Sequence, residues 1–450
     1  MADVPVYRGR FGEAQAERLL WRAGFGPRPG EAGKLARTYN LRGAVRALTR
    51  PKRKARLRGP APTDQDGLPI APFDAFGHDM LWWLDRMVRT TRAFEERMAL
   101  IWHDWFATAD VDSQQLSIGQ AELFRRLGRG SFLELLRKVT IDPAMLIWLS
   151  GIDNRKEAPN ENYGRELMEL FTLGASDESG YPYSETDVRE QARALTGWTA
   201  EYVDDVGYAK FYFDPERHDA GFKKIFGKTA AFDWADSCKL CVQHKAHKKF
   251  FVEKLWSYFI PTPPPAKTRK ALERLYVNRK YAILPVVEAI LMHPAFYRGP
   301  AMVKPPAVYT AGLLRARRLG ISSEDHVWLG ETAGQRLFRP PNVSGWNDER
   351  WMDTSTFRGR WLIANLIAGP EALDPEAEYP ENETASAAVR KALRFWGNPP
   401  VANATRKGLQ NYAGAVEQAA TEDWQQSAYR AIRQNALRLL IATSPDLQTC

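Results

Sequence analysis

Residues 80–105 read MLWWLDRMVRTTRAFEERMALIWHDW, and the spacing of their apolar side chains indicates the fold class. Two sets of apolar residues recur near i, i+3, i+4 and i+7, which is the spacing of one helix face. They are Met80, Trp83, Leu84 and Met87, followed by Phe94, Met98, Ile101, Trp102 and Trp105. The stretch therefore predicts two successive amphipathic helices, each burying one stripe of side chains.

Helical spacing of apolar residues continues along most of the chain. Further stripes occur at 16–23, 123–136, 163–171, 188–195, 250–259 and 428–440. Alternation with a period of two is scarce, and only YAKFYF at 208–213 predicts a strand, as part of a small β-hairpin. No repeat of fixed period is present, which argues against a solenoid. We expect a mainly α protein, a large multi-helix globular assembly with long Pro-rich loops.

The composition is that of a globular protein. Of the 450 residues, 44% are apolar and 26% are charged, which excludes disordered and collagen-like chains. Apolar runs stay well short of the roughly 18 residues that a membrane span needs. Three cysteines cannot stabilise a fold of this size, so burial must do so. The first twenty residues lack the apolar core of a secretory signal, and we expect a cytoplasmic protein.

Proline-rich stretches suggest where the chain divides. The stretch 50–72 is Pro-rich and basic, and IPTPPPAK at 260–267 predicts a stiff connector. We place the boundary there, between an N-terminal helical part at 1–260 and a C-terminal helical part at 261–450. The two parts are expected to form one continuous assembly.

The densest polar segment is NENYGRELMELFTLGASDESGYPYSETDVREQARALTGW, residues 160–198. It predicts two helices joined by a short turn. On the first helix Glu166 borders the buried stripe and Glu169 lies about 60° further round. In the second, Ser184 and Asp187 match a capping box, and Glu190 follows one turn later.

Antiparallel packing of these helices would bring Glu166, Glu169, Asp187 and Glu190 together across the seam. Crowded carboxylates separate their pKa values into an acid and a base, or bind a hard cation such as Ca²⁺ or Mg²⁺. The alternative is a helix pair with a cap at Asp187 and ordinary ion pairs. Its candidate counter-ions are Arg165, Arg189 and Arg193.

Cys238, Cys241, His244 and His247 follow one another at intervals of three residues. The residue types suit zinc, but on one helix each position rotates by about 60° from the last. The spacing also lacks the long gap of a zinc finger. We expect no bound zinc and a reduced cysteine pair packed on an amphipathic helix, and we assign no residue to a metal.

The loop RPPNVSGWNDERW, residues 339–351, holds two tryptophans and Asn342 between proline and glycine. Trp346 and Trp351, with Asn342, are candidates for stacking on and binding a sugar or another planar substrate. The alternative is a plug that closes the helical core. Two His-Asp dipeptides, at 103–104 and 218–219, offer a base beside an acid, but adjacent residues on a helix point apart.

The net charge of +9 is concentrated in one segment. From Lys34 to Arg58 the chain carries ten Lys or Arg and no acid, so the remainder sums to −1. Such a segment is a candidate site for an anionic polymer or an acidic partner. The alternative is a solvated helix face and loop, which the lack of a series of interleaved aromatic residues favours.

Several motifs point to a known family. They are NENYGRELMELFTLG, YSETDVREQARALTGW, RPPNVSGWNDERW, FFVEKLWSYF and ERLLWRAGFGP. Together they resemble the bacterial family catalogued as domain of unknown function eighteen hundred, over nearly the whole chain. The resemblance implies a large, mostly helical protein of unassigned activity, and it carries over no catalytic residue. Members commonly have an export signal, and we expect this chain to differ from them in that respect.

Two function hypotheses follow. The first is a hydrolase-like enzyme that uses the acidic helix pair on a sugar-like or polymeric substrate. The second is a non-catalytic scaffold or binding protein that meets an anionic polymer or an acidic partner through its basic segment. No P-loop, dinucleotide-binding, GxSxG or HExxH motif occurs, so the corresponding enzyme classes lack their usual signatures.

Overall fold

The computed structural model describes residues 4–109, 111, 113–175, 180, 182–379 and 383–450, and these are mainly helical. The helices of the N-terminal half are α1 (Glu13–Arg22), α2 (Glu31–Thr38), α3 (Leu41–Thr49), α4 (His78–Arg89), α5 (Ala93–Trp105), α6 (Gln114–Leu127), α7 (Phe132–Thr140), α8 (Pro143–Trp148), α9 (Glu161–Met168), α10 (Glu185–Ala194) and α11 (Trp234–Gln243). The later helices are α12 (His247–Ser257), α13 (Ala266–Asn278), α14 (Ile283–Leu291), α15 (Pro294–Arg298), α16 (Pro306–Arg317), α17 (Asp325–Thr332), α18 (Thr354–Ala368), α19 (Ala385–Phe395), α20 (Asn403–Ala419), α21 (Asp423–Ala442) and α22 (Pro445–Gln448). The mainly α fold class is confirmed.

Two small antiparallel hairpins account for the strands of the described residues. They are formed by β1 (Trp198–Val203) with β2 (Gly207–Phe213), and by β3 (Lys223–Ile225) with β4 (Lys228–Ala230). The strand predicted at 208–213 lies in β2, with Phe213 opposite Trp198. The second hairpin was not predicted, because strands of three residues are too short to show a period of two.

The stripes of residues 80–105 form the centre of the core. Trp83, Trp102 and Trp105 are completely buried, because α4 and α5 pack against each other and both pack against α6. The helix α16 packs against α4 and α18, and so joins this centre to the C-terminal helices. One hydrophobic cluster runs from Leu19 to Leu447. The division near residue 260 stays a prediction.

The guanidinium group of Arg22, on α1, ties three distant segments together inside the protein. It donates to the backbone oxygens of Phe259, Pro300 and Cys450 at 3.1, 2.8 and 2.6 Å. Burial lowers the pKa of Arg22, and interaction with Cys450 opposes that effect. The sequence gives no sign of this contact, because its partners are backbone atoms far along the chain.

The helix predicted over 163–171 changes its form near its end. Helix α9 stops at Met168, and a π-helical turn follows at Glu169–Leu173. The hydroxyl of Thr172 donates to the carbonyl oxygen of Leu167 at 2.6 Å. Turns of this kind occur often at functional sites. The nitrogen of Glu169 still donates to the oxygen of Arg165, so Glu169 keeps its α-helical position and the wider turn follows it.

None of the helices in the described ranges has the length and the apolar character that a bilayer crossing requires.

We predict that Gly164→Ala destabilises the protein. A Cβ atom at Gly164 would lie 2.9 Å from the oxygen of Val188 and 3.1 Å from the nitrogen of Ala192, so α9 and α10 would have to separate. The expected cost is about 1–3 kcal/mol, which outweighs the gain in helix propensity. The free energy of unfolding in urea measures it.

The matched control is Gly408→Ala, in α20, where a new Cβ atom would meet no atom within 4 Å. This control should be neutral or stabilising by up to about 1 kcal/mol. Equal effects of the two substitutions would contradict the close packing of α9 and α10.

Candidate functional site

A pocket of about 200 Å³ lies where α5, α12 and the loop between α17 and α18 meet. Its charged and aromatic lining combines residues from three distant parts of the chain. They are Arg97, Asp104, Lys254, Tyr258, Trp346, Asp348 and Trp351. The pocket therefore gathers two cations, two carboxylates, a phenol and two indole rings.

The carboxylate of Asp104, near the end of α5, holds the loop against the helices. Its Oδ1 accepts from the backbone nitrogen of Trp346 at 2.8 Å, and its Oδ2 accepts from the hydroxyl of Tyr258 at 2.7 Å. Gly345 makes this approach possible, since its φ is +97° and a Cβ atom there would lie 2.4 Å from Oδ1. The position of Trp346 thus depends on Asp104.

Burial raises the pKa of Asp104, and the hydrogen bonds from Tyr258 and Trp346 oppose that rise. Both carboxylate oxygens already accept a hydrogen bond from the protein. This pattern favours the ionised form, because a protonated oxygen would face a donor. Asp104 is therefore better suited to position its neighbours than to exchange protons.

Lys254, on α12, has a pKa well below the usual value of a lysine side chain. Burial lowers its pKa to about 8, and the charge of Asp104 partly offsets that effect. Its ammonium group donates to the carbonyl oxygen of Leu170 at 3.0 Å and lies 4.8 Å from the ring centre of Trp105. It forms no ion pair with any residue in the described ranges.

Arg97, one turn into α5, is the second cation of the pocket. Only 4% of its surface is exposed, and burial lowers its pKa to about 10. Its Nε donates to the carbonyl oxygen of Arg22 at 3.3 Å, and no described carboxylate lies within ion-pair distance. The charges of the Cys450 carboxylate and of Asp104 partly offset the effect of burial, but neither is in ion-pair contact with Arg97, so an anionic ligand would be favoured here.

The two predicted tryptophans line the pocket, and Asn342 does not. Trp346 and Trp351 are 8% and 9% exposed, so they form a wall rather than an open platform. The indole nitrogen of Trp346 donates to the carbonyl oxygen of Arg336 at 3.2 Å. Asn342 is exposed and caps its own turn, accepting from the nitrogen of Ser344 at 2.9 Å.

Neither His-Asp dipeptide forms a dyad. The ring of His103 lies among the rings of Trp83, Phe338 and Trp346, and burial lowers its pKa to about 3. Burial among these rings keeps His103 neutral, whereas Asp104 lines the pocket. In the second dipeptide, Asp219 forms an ion pair with Arg193 at 2.6 Å.

The first predicted helix places Glu166 and Glu169 near one another. Burial raises the pKa of Glu166, and the charge of Glu169 adds to that rise. An oxygen of Glu169 accepts from the hydroxyl of Tyr183 at 3.3 Å. The charges of these two carboxylates therefore affect one another, and their catalytic role stays a prediction.

The second predicted helix uses Asp187 and Glu190 to hold the β3–β4 hairpin. Oδ1 of Asp187 accepts from the nitrogen of Phe226 at 2.7 Å, and Oε2 of Glu190 accepts from the nitrogen of Lys224 at 2.8 Å. The predicted capping box is present, since Ser184 and Asp187 bond reciprocally. A water-bridged contact between Glu166 and Asp187 stays a prediction.

The three candidate arginines form ion pairs around this helix pair. Arg165 binds Glu185 at 2.7 Å, Arg189 lies 3.7 Å from Glu161, and Arg193 binds Glu190 at 2.9 Å. Of the four predicted carboxylates, only Glu190 has one of these arginines as a partner. Glu166 has no ion pair with these arginines, and the choice between a catalytic carboxylate cluster and an ion-paired helix pair stays open.

The Cys and His series is divided among separate contacts. Cys238 and Cys241 are buried on α11, and burial raises the pKa of Cys238 to about 12. His247 lies between the carbonyl oxygen of Thr172 and the hydroxyl of Tyr276, both at 2.9 Å. Across the residues that the structure describes, no group of three or more His, Cys, Asp or Glu side chains is arranged to hold a metal, and this includes Ca²⁺ or Mg²⁺.

Sequence reasoning missed Arg97, Lys254 and Tyr258. One local signal exists, because Arg97 and Asp104 are seven residues apart and therefore share one face of α5. Lys254 and Tyr258 are likewise four residues apart. No pattern in the sequence shows that these two faces meet, so the pocket itself is visible only in the fold.

The comparisons with known proteins give one match. The model of a protein family described as Protein of unknown function (DUF1800) matches residues 18–449. No curated protein and no solved structure matches the chain.

We predict that Asp187→Asn destabilises the protein by about 1–3 kcal/mol. As a helix cap alone this change would be nearly neutral, but both oxygens of Asp187 accept from N–H groups, of Ser184 and of Phe226. An amide supplies only one acceptor, so one N–H would lose its partner. Thermal or urea unfolding measures the loss.

The control is Glu185→Gln, at the neighbouring position, where an exposed carboxylate pairs with Arg165. It should cost less than Asp187→Asn, because solvent screens that pair. A neutral result for Asp187→Asn would contradict the role of Asp187 in holding the hairpin.

Proposed function

The chain belongs to the DUF1800 family, whose description states no activity, and from the pocket we propose a hydrolase-like enzyme. The proposed reaction is the hydrolysis of an ester on a sugar-like substrate. The pocket around Asp104, Lys254 and Arg97 takes the place of the acidic helix pair as the reaction site. This keeps the substrate class expected from the tryptophan loop and changes the groups that act on it.

The observation that carries the proposal is the state of Lys254. An amine with a pKa of about 8 is partly neutral near physiological pH and can take up a proton. Shifts of this size caused by burial, in a pocket with other charged groups, are typical of catalytic sites. Structural lysines, in contrast, usually keep their ammonium group in water.

The remaining groups suit the other requirements of the reaction. Arg97 offers a buried positive charge to the oxyanion that forms when water attacks an ester carbonyl. Trp346 and Trp351 give an apolar wall against which one face of a sugar ring can pack. The volume of about 200 Å³ suits a single ring better than a longer chain segment.

The proposed step balances without a further reactant. Lys254 takes a proton from water while the water oxygen bonds to the ester carbon, and the carbonyl oxygen becomes an oxyanion beside Arg97. The bond to the alcohol then breaks, and the alcohol oxygen receives the proton from Lys254. Asp104 acts as a positioning residue, because it holds Tyr258 and the Trp346 loop.

The acidic helix pair remains a second candidate, on one observation. Burial and the charge of Glu169 raise the pKa of Glu166, which is what an acid in a paired-carboxylate site needs.

A cytoplasmic location is part of the proposal as well. It is supported by the three cysteines, which are all free thiols, as the reducing cytoplasm keeps them.

We predict that ester hydrolysis rises with pH through about 8 and then levels, because only neutral Lys254 accepts a proton. The measurement is the pH profile of kcat/KM with 4-nitrophenyl acetate and with acetylated glucose as probes. Lys254→Met should lower the rate by about 100-fold or more without loss of thermal stability, since it removes a buried charge.

The matched control is Lys248→Met, an exposed position on the same helix, which should leave the rate unchanged. Glu166→Gln separates the two candidate sites, because it should be neutral if Lys254 is the base. A rate that falls with Glu166→Gln and not with Lys254→Met would assign the reaction to the helix pair instead.

A further inference from the structure

We propose that a basic groove formed by α3 and residues 51–58 binds single-stranded nucleic acid. The groove has a volume of about 960 Å³, and it adjoins a second hollow of about 750 Å³ beside α2. Both are lined by Tyr39, Arg58 and Arg92, so they form one continuous surface. This inference is independent of the pocket at Lys254.

The loop that forms one side of the groove is held in place by backbone hydrogen bonds. The backbone nitrogen of Arg56 donates to the hydroxyl of Thr91 at 3.0 Å. The backbone nitrogen of Thr91 donates back to the carbonyl oxygen of Arg56 at 2.9 Å. The nitrogen of Arg58 donates to the oxygen of Arg89, also at 2.9 Å. The basic side chains therefore project from an ordered backbone, which lowers the entropy lost on binding.

Most of the positive charge of the groove is uncompensated, although Arg50 and Arg92 form ion pairs with Glu288 and Glu95. Six exposed basic residues that line it form no ion pair with any described residue. They are Arg46, Lys52, Arg53, Lys54, Arg56 and Arg58. No acidic residue lines the groove, and Glu31 is the one acidic residue in the lining of the adjoining hollow. Such a surface concentrates positive potential and favours a polymer of phosphates.

Tyr39 distinguishes a nucleic acid from other polyanions. It lies between α2 and α3, at the junction of the two hollows, and 44% of its surface is exposed. An exposed aromatic ring among arginines is the usual platform on which a base stacks. A sulfated polysaccharide carries the charge but has no planar base to stack there.

The shape of the surface favours a flexible strand over a membrane. Anionic bilayers present a broad surface, and proteins usually add exposed apolar side chains to their basic residues there. Here the cations surround a concavity, and Leu57 is the one large aliphatic side chain of residues 51–58. A strand with unpaired bases can enter the groove and reach Tyr39.

The test measures binding of a fluorescent oligothymidine of about 16 nucleotides to the full chain by polarisation. We expect the logarithm of the binding constant to fall linearly with the logarithm of salt concentration. The triple variant R53E/K54E/R56E should weaken binding at least tenfold and reduce that slope by about 2, or about 0.7 for each lost phosphate contact.

The matched control is R390E/R406E/K407E, at exposed positions of α19 and α20. Three reversals of −2 each take the net charge from +9 to +3 in both variants, so a difference reports the groove and not overall charge. The control should bind like the unaltered chain. Melting followed by circular dichroism checks that both variants are folded.

Stacking is tested separately with Tyr39→Ala, which should weaken oligothymidine binding about tenfold, and with Tyr39→Phe, which should retain it. Heparin and phosphatidylserine vesicles serve as competing probes. Absence of oligothymidine binding, or equal loss in the control variant, would overturn the proposal. So would heparin or vesicle binding that is tighter than oligothymidine binding and insensitive to Tyr39→Ala.

Discussion

The carboxylate of Asp104 is the interaction on which the pocket depends. It joins α5 to a tyrosine 154 residues later and to a loop nitrogen 242 residues later. Each bond is charge-assisted and partly buried, where such bonds are stronger than in water. Because both oxygens are occupied, Asp104 fixes the relative position of α12 and the Trp346 loop. The neighbouring cations then face a space of defined shape.

The same burial that strengthens these bonds alters the charges around them. Removal from water raises the pKa of Asp104 and lowers the pKa values of Lys254 and Arg97. Asp104 and Lys254 carry opposite charges, so each reduces the pKa shift that burial causes in the other without abolishing it. The pocket thus holds a lysine whose pKa of about 8 lies near physiological pH. This lowered pKa follows from packing rather than from any local motif.

The sequence predicted the elements that depend on neighbouring residues. Helical stripes, the hairpin at 208–213 and the cap formed by Ser184 and Asp187 all rest on contacts within a few positions. The sequence did not predict that Asp187 also accepts a hydrogen bond from the nitrogen of Phe226, or that a π-helical turn follows α9. Both depend on what packs against the helix. The carboxylates of the acidic helix pair could be grouped from the sequence because they are close together in it, whereas the pocket residues are far apart in it.

Helix α5 connects the two proposed sites. Arg92 precedes its first residue and lines the basic groove, whereas Asp104 lies in its last turn and lines the pocket. Twelve residues of helix separate them by about 18 Å.

The amino terminus of α5 carries partial positive charge and lies beside the groove, and its carboxyl terminus carries partial negative charge and lies near Lys254. The helix field therefore favours an anion at the groove, and it favours the cationic form of Lys254 against the effect of burial. The pKa of Lys254 falls to about 8 although the charge of Asp104 favours the charged amine, so burial is the larger effect there.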